Sequence, residues 1–288
     1  MTKIAILGTG RMGTAFAKRL IDVGHCVTIW NRTVKNMDAA IAVGATAAHS
    51  IQETTAADII LISLSNAEAV GDVSDKLIAA GILGKLVIDL STLLPQETKD
   101  IGARVTAAGA DFIDCPVGGT VAPALKGALL GMAGGTELAF ERAKPVLEQL
   151  CKRIELLGPI GTGAHMKLAV NLPLAVYWKT LAEALAMLDG SGIATDMAIS
   201  MIADSSAGPT VLKNRAKVVV DTIDGMDQLG TFDIAGLAKD IDLVLKQAAI
   251  SGHSMPLSEE TQKSYQQALA TDLGEFYGSS LTRHLSSN

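Results

Sequence analysis

Lys3-Ile4-Ala5-Ile6-Leu7-Gly8-Thr9-Gly10-Arg11-Met12-Gly13 decides how this chain is read. Ile4–Leu7 is strand-like, and a helical pattern follows Gly13 through about Val23. Between them lies G-x-G-x-x-G. Its first glycine suits a tight turn, its second a close approach of backbone to pyrophosphate, and its third helix–strand packing. The N-terminus of the next helix faces an anion with unpaired N–H groups. In a chain with 28 glycines such a match arises by chance. Here it directly follows a strand and opens a helix, the context a nucleotide site requires. Gly8, Thr9, Gly10, Arg11, Met12 and Gly13 are therefore expected to hold a dinucleotide.

Val27–Trp30 reads as the second strand, and the residues after it choose the nucleotide. An NAD site places Asp or Glu there, on the ribose 2′-hydroxyl. This chain has Asn31, Arg32 and Thr33, with Lys35 nearby. A neutral amide does not repel a 2′-phosphate, Arg32 can clamp one, and Thr33 can donate to it. The competing reading makes Arg32 an ordinary solvated cation. NADP is the expected cofactor.

Further along, apolar runs alternate with helical patterns. Asp58–Leu64 and Leu86–Asp89 suit strands buried on both faces of a parallel sheet. Thr33 is expected to cap a helix over about 34–42. Residues 67–80 read as a helix, Pro95 opens another, and Thr136–Leu150 is a third, with Pro145 inside it as a possible kink. Phe112–Asp114, Leu129–Ala133 and Arg153–Leu157 read as later strands. This alternation predicts a doubly wound, Rossmann-type α/β domain with a parallel sheet. After Gly161-Thr162-Gly163 the pattern turns helical, from Ala164 to about Asp189 with Pro173 as the one breaker, and no convincing strand follows. The expected organisation is a nucleotide-binding domain at 1–162, a long connecting helix at 163–193 and an all-α substrate and dimerisation domain at 194–288.

Composition narrows the function classes. Of 288 residues 49% are hydrophobic and 19% charged, which excludes a disordered chain. A net charge of −6 argues against a general nucleic-acid or membrane-surface binder. Three dispersed cysteines fit reduced thiols, and the five histidines never pair at helical spacing, so no metal site is expected. No targeting segment or membrane span is read, and the cytoplasm is the expected compartment.

Lys167 and Asn171 lie four apart near the start of the long helix and share a face. Leu168, Ala169, Val170 and Leu172 around them are apolar. An ammonium on a desolvated face is a candidate proton donor to a carbonyl oxygen. Taken alone, the pair better fits an ordinary exposed lysine at a helix start.

The set of motifs resembles the β-hydroxyacid dehydrogenases, which include the 3-hydroxyisobutyrate dehydrogenases and are relatives of 6-phosphogluconate dehydrogenase. The resemblance spans nearly the whole chain: Gly8–Gly13 with Ala15 and Ala17, Asp89-Leu90-Ser91-Thr92 with Pro95, Gly161-Thr162-Gly163 with Lys167 and Asn171, and Lys239-Asp240. It implies that Lys167 is the acid/base, with Asn171 beside it. It also puts Leu64, Ser65, Thr92 and Lys239 by the cofactor, and Ser91, Gly118, Gly119 and Thr120 by the substrate. The implied assembly is a homodimer or homotetramer, and the implied reaction interconverts a small β-hydroxyacid and its semialdehyde or keto form. The family's Asp-x-Pro-Val-Ser-Gly-Gly loop is altered here to Asp114-Cys115-Pro116-Val117-Gly118-Gly119-Thr120. Gly118 replaces the serine that helps hold a substrate carboxylate in that family, and Thr120 is the candidate to restore a hydroxyl. Pro123 also stands where the family often has glycine, and Tyr277 where it often has Asp. Residues 24–33 also resemble the imine reductases, which generally lack the lysine, and NADPH-dependent imine reduction is the alternative.

Overall fold

The computed structural model describes residues 1–285. The last three residues of the expected C-terminal domain, 286–288, lie outside the described residues. Two compact units meet inside one helix, the first Met1–Leu168 and the second from Ala169 onward.

The first unit runs β1 (Lys3–Leu7), α1 (Arg11–Asp22), β2 (Cys26–Trp30), α2 (Asp38–Ala42), β3 (Thr46–Ala47), α3 (Ile51–Thr54) and β4 (Ile59–Ile62). It continues with α4 (Ala67–Ala80), β5 (Leu86–Asp89), α5 (Pro95–Ala107), β6 (Asp111–Asp114), β7 (Val117–Gly118), α6 (Val121–Leu125), β8 (Leu129–Gly135), α7 (Glu137–Leu150) and β9 (Cys151–Leu156). The strands order as β3-β2-β1-β4-β5-β6-β8-β7, with β9 on β8. From β3 to β6 every pairing is parallel. The apolar runs are continuous because both faces of the sheet are covered. Ile4 and Ile6 join the core on one face with Phe16 and Leu20 of α1, while Ala5 and Leu7 join the core on the other. Strand periodicity sends successive side chains to opposite faces, so each face needs its own apolar residues.

Three local expectations are corrected. The helix expected over 34–42 is a 3₁₀ turn at Val34–Met37 followed by α2, and the Thr33 side chain caps neither. The strand expected over 58–64 forms its ladder only at Ile59–Ile62. The sheet is mostly, not wholly, parallel: β8 runs antiparallel to β6 and β7. Between β7 and β8 lie only the short α6 and turns, less chain than a parallel crossover requires.

Helix α8 (Thr162–Ala186) crosses the unit boundary and continues through Pro173. The second unit then holds α9 (Thr195–Asp204), α10 (Thr210–Ile223), α11 (Ile234–Ile250), α12 (Pro256–Leu269) and α13 (Ser280–Leu285). Trp178, Leu181, Ile199, Leu212, Leu237, Ile241 and Tyr265 form its core. The Tyr265 hydroxyl, fully buried, donates to the Ala175 carbonyl at 2.8 Å. Asp233 caps α11 by accepting from Gly236 N–H. Two isolated antiparallel bridges, Leu229–Phe276 and Asp233–Tyr277, occur where no strand was expected. Among the described residues no helix is long and apolar enough to cross a membrane.

Candidate functional site

The glycine loop leaves the C-terminal end of β1, beside the point where strand order reverses between β1 and β4. Open α/β sheets bind ligands at such a switch point. Gly8 has φ +102°, and an added Cβ would lie 2.2 Å from the Ser63 carbonyl oxygen. A Cβ on Gly13 would lie 1.9 Å from the Gly8 carbonyl oxygen, so α1 could not pack. Gly10 differs. Its φ is −67°, open to any residue, and an added Cβ meets nothing within 4 Å. Neither backbone nor packing calls for glycine there. A pyrophosphate lying against the loop would, so the residues present fit a dinucleotide. Arg11 is exposed at the start of α1 and Met12 is half-buried.

The loop is braced by the end of β2. Asn31 accepts from Thr9 N–H at 3.2 Å and donates through Nδ2 to the Thr33 carbonyl at 3.0 Å. The Thr9 hydroxyl donates to the Asn36 carbonyl at 2.8 Å. An aspartate at 31 would set a carboxylate oxygen against the Thr33 carbonyl. The amide thus serves the fold as well as the absence of negative charge. Arg32, Thr33 and Lys35 are exposed beside it.

Leu64 and Ser91, at the ends of neighbouring strands, are joined directly: Leu64 N–H donates to the Ser91 hydroxyl at 3.0 Å. Ser91 N–H in turn donates to Asp89 Oδ1 at 2.9 Å. Burial pushes the Asp89 carboxyl up to about 6, the Ser91 bonds pull against it, and the charge of Asp114 on β6 adds to the rise. Asp89 and Asp114 pair in register. Ser65 is exposed and Thr92 half-buried in the same strand-end turns.

Asp114 ends β6 and accepts two backbone N–H groups, from Gly161 at 2.8 Å and from Ala164 at 2.9 Å. Burial lifts its carboxyl to about 6 against those same bonds. Lys167 follows on α8, only 8% exposed. The loop after Asp114 pairs Val117-Gly118 with β8. A Cβ on Gly118 would make only ordinary contact, 3.5 Å from Leu130. Gly119 has φ +123°, and Thr120 precedes α6 without its side chain capping it.

In the second unit Asn171 is buried and donates to Asp240 Oδ2 at 2.5 Å. Asp240, also buried, takes the Lys239 ammonium on Oδ1 at 3.4 Å. The Arg215 guanidinium stands 4.9 Å above the Tyr277 ring.

Residues 3–158 match the family described as the NAD binding domain of 6-phosphogluconate dehydrogenase. Residues 161–285 match that described as NAD-binding of NADP-dependent 3-hydroxyisobutyrate dehydrogenase. The chain belongs to the 3-hydroxyisobutyrate dehydrogenase-like β-hydroxyacid dehydrogenases. It is 30% identical to the NAD-dependent L-serine dehydrogenase of Pseudomonas aeruginosa, over 96% of this chain and 95% of that one. It is 28% identical to glyoxylate/succinic semialdehyde reductase 1 of Arabidopsis thaliana, over 95% and 94%. The solved structure of Mycobacterium tuberculosis 3-hydroxyisobutyrate dehydrogenase with L-serine covers 99% of both chains at 28% identity, with a TM-score of 0.89. An imine reductase from Pseudomonas sp. shares the fold, with a TM-score of 0.65 at 18% identity.

As a β-hydroxyacid dehydrogenase the chain is an NAD(P)-dependent oxidoreductase of the type acting on CH–OH groups. The structure joins Thr9 to Asn31, and Leu64 to Ser91. Gly118 is held instead by its pairing with Leu130 of β8. Sequence reading left three carboxylates of this dehydrogenase without a role: Asp89 holding Ser91, Asp114 holding the start of α8, and Asp240 holding Asn171. Each sat inside a quoted motif. Their only sequence signal was an acid in an apolar setting.

Proposed function

We propose that this dehydrogenase interconverts a small β-hydroxyacid and its semialdehyde or keto form with NADP(H), Lys167 acting as general acid/base. The observation that carries the reading is the burial of Lys167 on α8 in a motif that resembles the family's catalytic segment. A lysine serving only solubility stays exposed. When bound, the cofactor supplies the hydride that reduces the carbonyl carbon. In that direction Lys167 gives its proton to the developing alkoxide, and in the other it takes one from the hydroxyl. Asn171, with its amide fixed by Asp240, orients the oxygen. Gly8–Gly13 receive the pyrophosphate and Arg32 and Thr33 the 2′-phosphate. Leu64, Ser65, Thr92 and Lys239 lie along the cofactor, and Ser91 with residues 118–120 holds the rest of the substrate. On this reading residues 1–162 carry the cofactor, 163–193 connect, and 194–288 serve substrate and dimerisation, in a cytoplasmic homodimer or homotetramer.

The test is turnover of NADPH and NADH against a panel of semialdehydes, keto acids and cyclic imines, with wild type and Lys167→Ala. Semialdehyde reduction that falls by about 10²–10⁴ in kcat in the variant supports the reading, since that is the usual worth of a positioned acid/base. Cyclic imines as the only substrates, with turnover kept in Lys167→Ala, would replace it with imine reduction.

A further inference from the structure

We propose that Asp114 is the positioning residue for Lys167: its carboxylate, seated in a glycine-walled socket at the end of β6, fixes the first turn of α8 and so the place of the ammonium. The inference rests on the reading of Lys167 given above. The first N–H groups of a helix have no partner within it. Usually a Ser, Thr, Asp or Asn just before the helix supplies one. Before α8 that position is Gly161, which has no side chain, and the Thr162 hydroxyl is committed to the Pro159 carbonyl at 2.8 Å. The acceptor comes instead from Asp114, 47 and 50 residues away, one oxygen to each of Gly161 and Ala164 N–H.

The socket has no slack. A Cβ on Gly134 would lie 2.5 Å from Oδ1, and one on Gly163 would lie 2.7 Å from Oδ2 and 2.2 Å from the Met132 carbonyl oxygen. A local serine cap would satisfy the same donors without burying a charge, but would not tie the helix to the sheet. Each residue of slip moves an α-helix by about 1.5 Å along its axis and turns it by about 100°. Misplacement of that order costs about a hundredfold in rate. Ala164, which Asp114 holds, stands one turn before Lys167. Asp114 also lies in register with Asp89, whose bonds reach Ser91 and through it Leu64. The neighbouring ends of β5 and β6 thus set both the strand-end turns and the helix start.

The charge of Asp114 acts on two ionisable neighbours, Asp89 in register on β5 and the Cys115 thiol next in the chain. The Lys99 side chain approaches the Gly161 Cβ position at 3.0 Å. Burial and the Lys99 charge hold His165 below its ordinary value.

The experiment compares wild type, Asp114→Asn and Lys167→Met as full chains. Asparagine keeps one acceptor and turns an NH₂ toward the other N–H. Competitive acetylation with acetic anhydride, read by mass spectrometry from pH 7 to 10, follows each lysine and needs no turnover. In Asp114→Asn the Lys167 labelling rate should change at least fivefold while Lys18 and Lys76 stay within twofold. With NADPH and succinic semialdehyde, kcat should fall ten- to a hundredfold and the KM for NADPH stay within threefold. A folded Asp114→Asn with unchanged Lys167 labelling overturns the proposal. Should that variant not fold, wild type decides by NMR. As the Asp114 carboxyl takes its proton at about pH 6, the Gly161 and Ala164 amide signals and the Lys167 Cε signal should move together. A fixed Lys167 signal beside titrating amides overturns the proposal. If Lys167→Met keeps its turnover, the assignment of Lys167 as donor fails by itself, and the labelling and NMR arms still decide the role of Asp114.

Discussion

A methyl group added at Gly10 meets nothing within 4 Å, whereas one added at Gly13 would stand 1.9 Å from the Gly8 carbonyl oxygen. Gly10→Ala should therefore melt within a few degrees of wild type yet bind cofactor at least tenfold more weakly by titration calorimetry. Gly13→Ala should lose about 2 kcal/mol or more of stability, in line with other overpacked sites. Equal cofactor binding by Gly10→Ala would remove the pyrophosphate from that loop. On the proposed reading Arg32, exposed beside Asn31, carries the choice of cofactor. Arg32→Ala should lower the kcat/KM for NADPH about ten- to a hundredfold, as expected for a charge-assisted contact worth about 1.5–3 kcal/mol. It should leave NADH nearly unchanged. Equal kcat/KM for the two cofactors in wild type would defeat the NADP assignment. The glycine turn is legible in sequence because a turn is a local fact.

Strand β5 ends on a buried carboxylate, and this shapes stability against pH. The Asp89 carboxyl sits at about 6 in the fold against 3.8 ordinarily, because burial disfavours its charge. The folded protein then holds the proton more tightly than the unfolded chain. Stability from this group is fully present below about pH 3.8 and is lost as pH rises through about 6. Asp89→Asn keeps an acceptor for Ser91 N–H and removes the charge. Its melting temperature should exceed that of wild type at pH 8, and the gain should vanish by pH 4. A gain equal at both pH values would show that burial of charge is not its source. The elements themselves were legible where their apolar pattern is long: α4 begins and ends at the expected residues, Ala67 and Ala80. Short β3, β7, α3 and α6 were missed, since two to five residues carry no period. The expected Thr33 cap failed because the turn at Val34–Met37 forms without a side-chain bond.

The second unit leaves apolar surface uncovered at the scale of the whole chain. Met187, just after α8, and Ile193, Met197 and Met201, just before or within α9, are 86%, 51%, 58% and 67% exposed. Clustered exposure of this kind marks interaction surfaces. The chain is expected to sediment as a dimer or larger at micromolar concentration, and Met197→Glu with Met201→Glu should shift it toward monomer. A wild-type monomer in that measurement would exclude the assembly.

Patterns written along the chain were determined by the sequence alone. Apolar runs set the buried strands, G-x-G-x-x-G set the loop between strand and helix, and Lys167 with Asn171 marked the face of α8. Those patterns are local, because strand and helix periods repeat within a few residues. Only the tertiary structure decided which buried polar groups meet. Leu64 finds Ser91 across 27 residues, Gly161 finds Asp114 across 47, and Asn171 finds Asp240 across 69. No period spans such separations. These pairs form because packing strips water from donors and acceptors, and each then needs whatever partner the fold brings within reach.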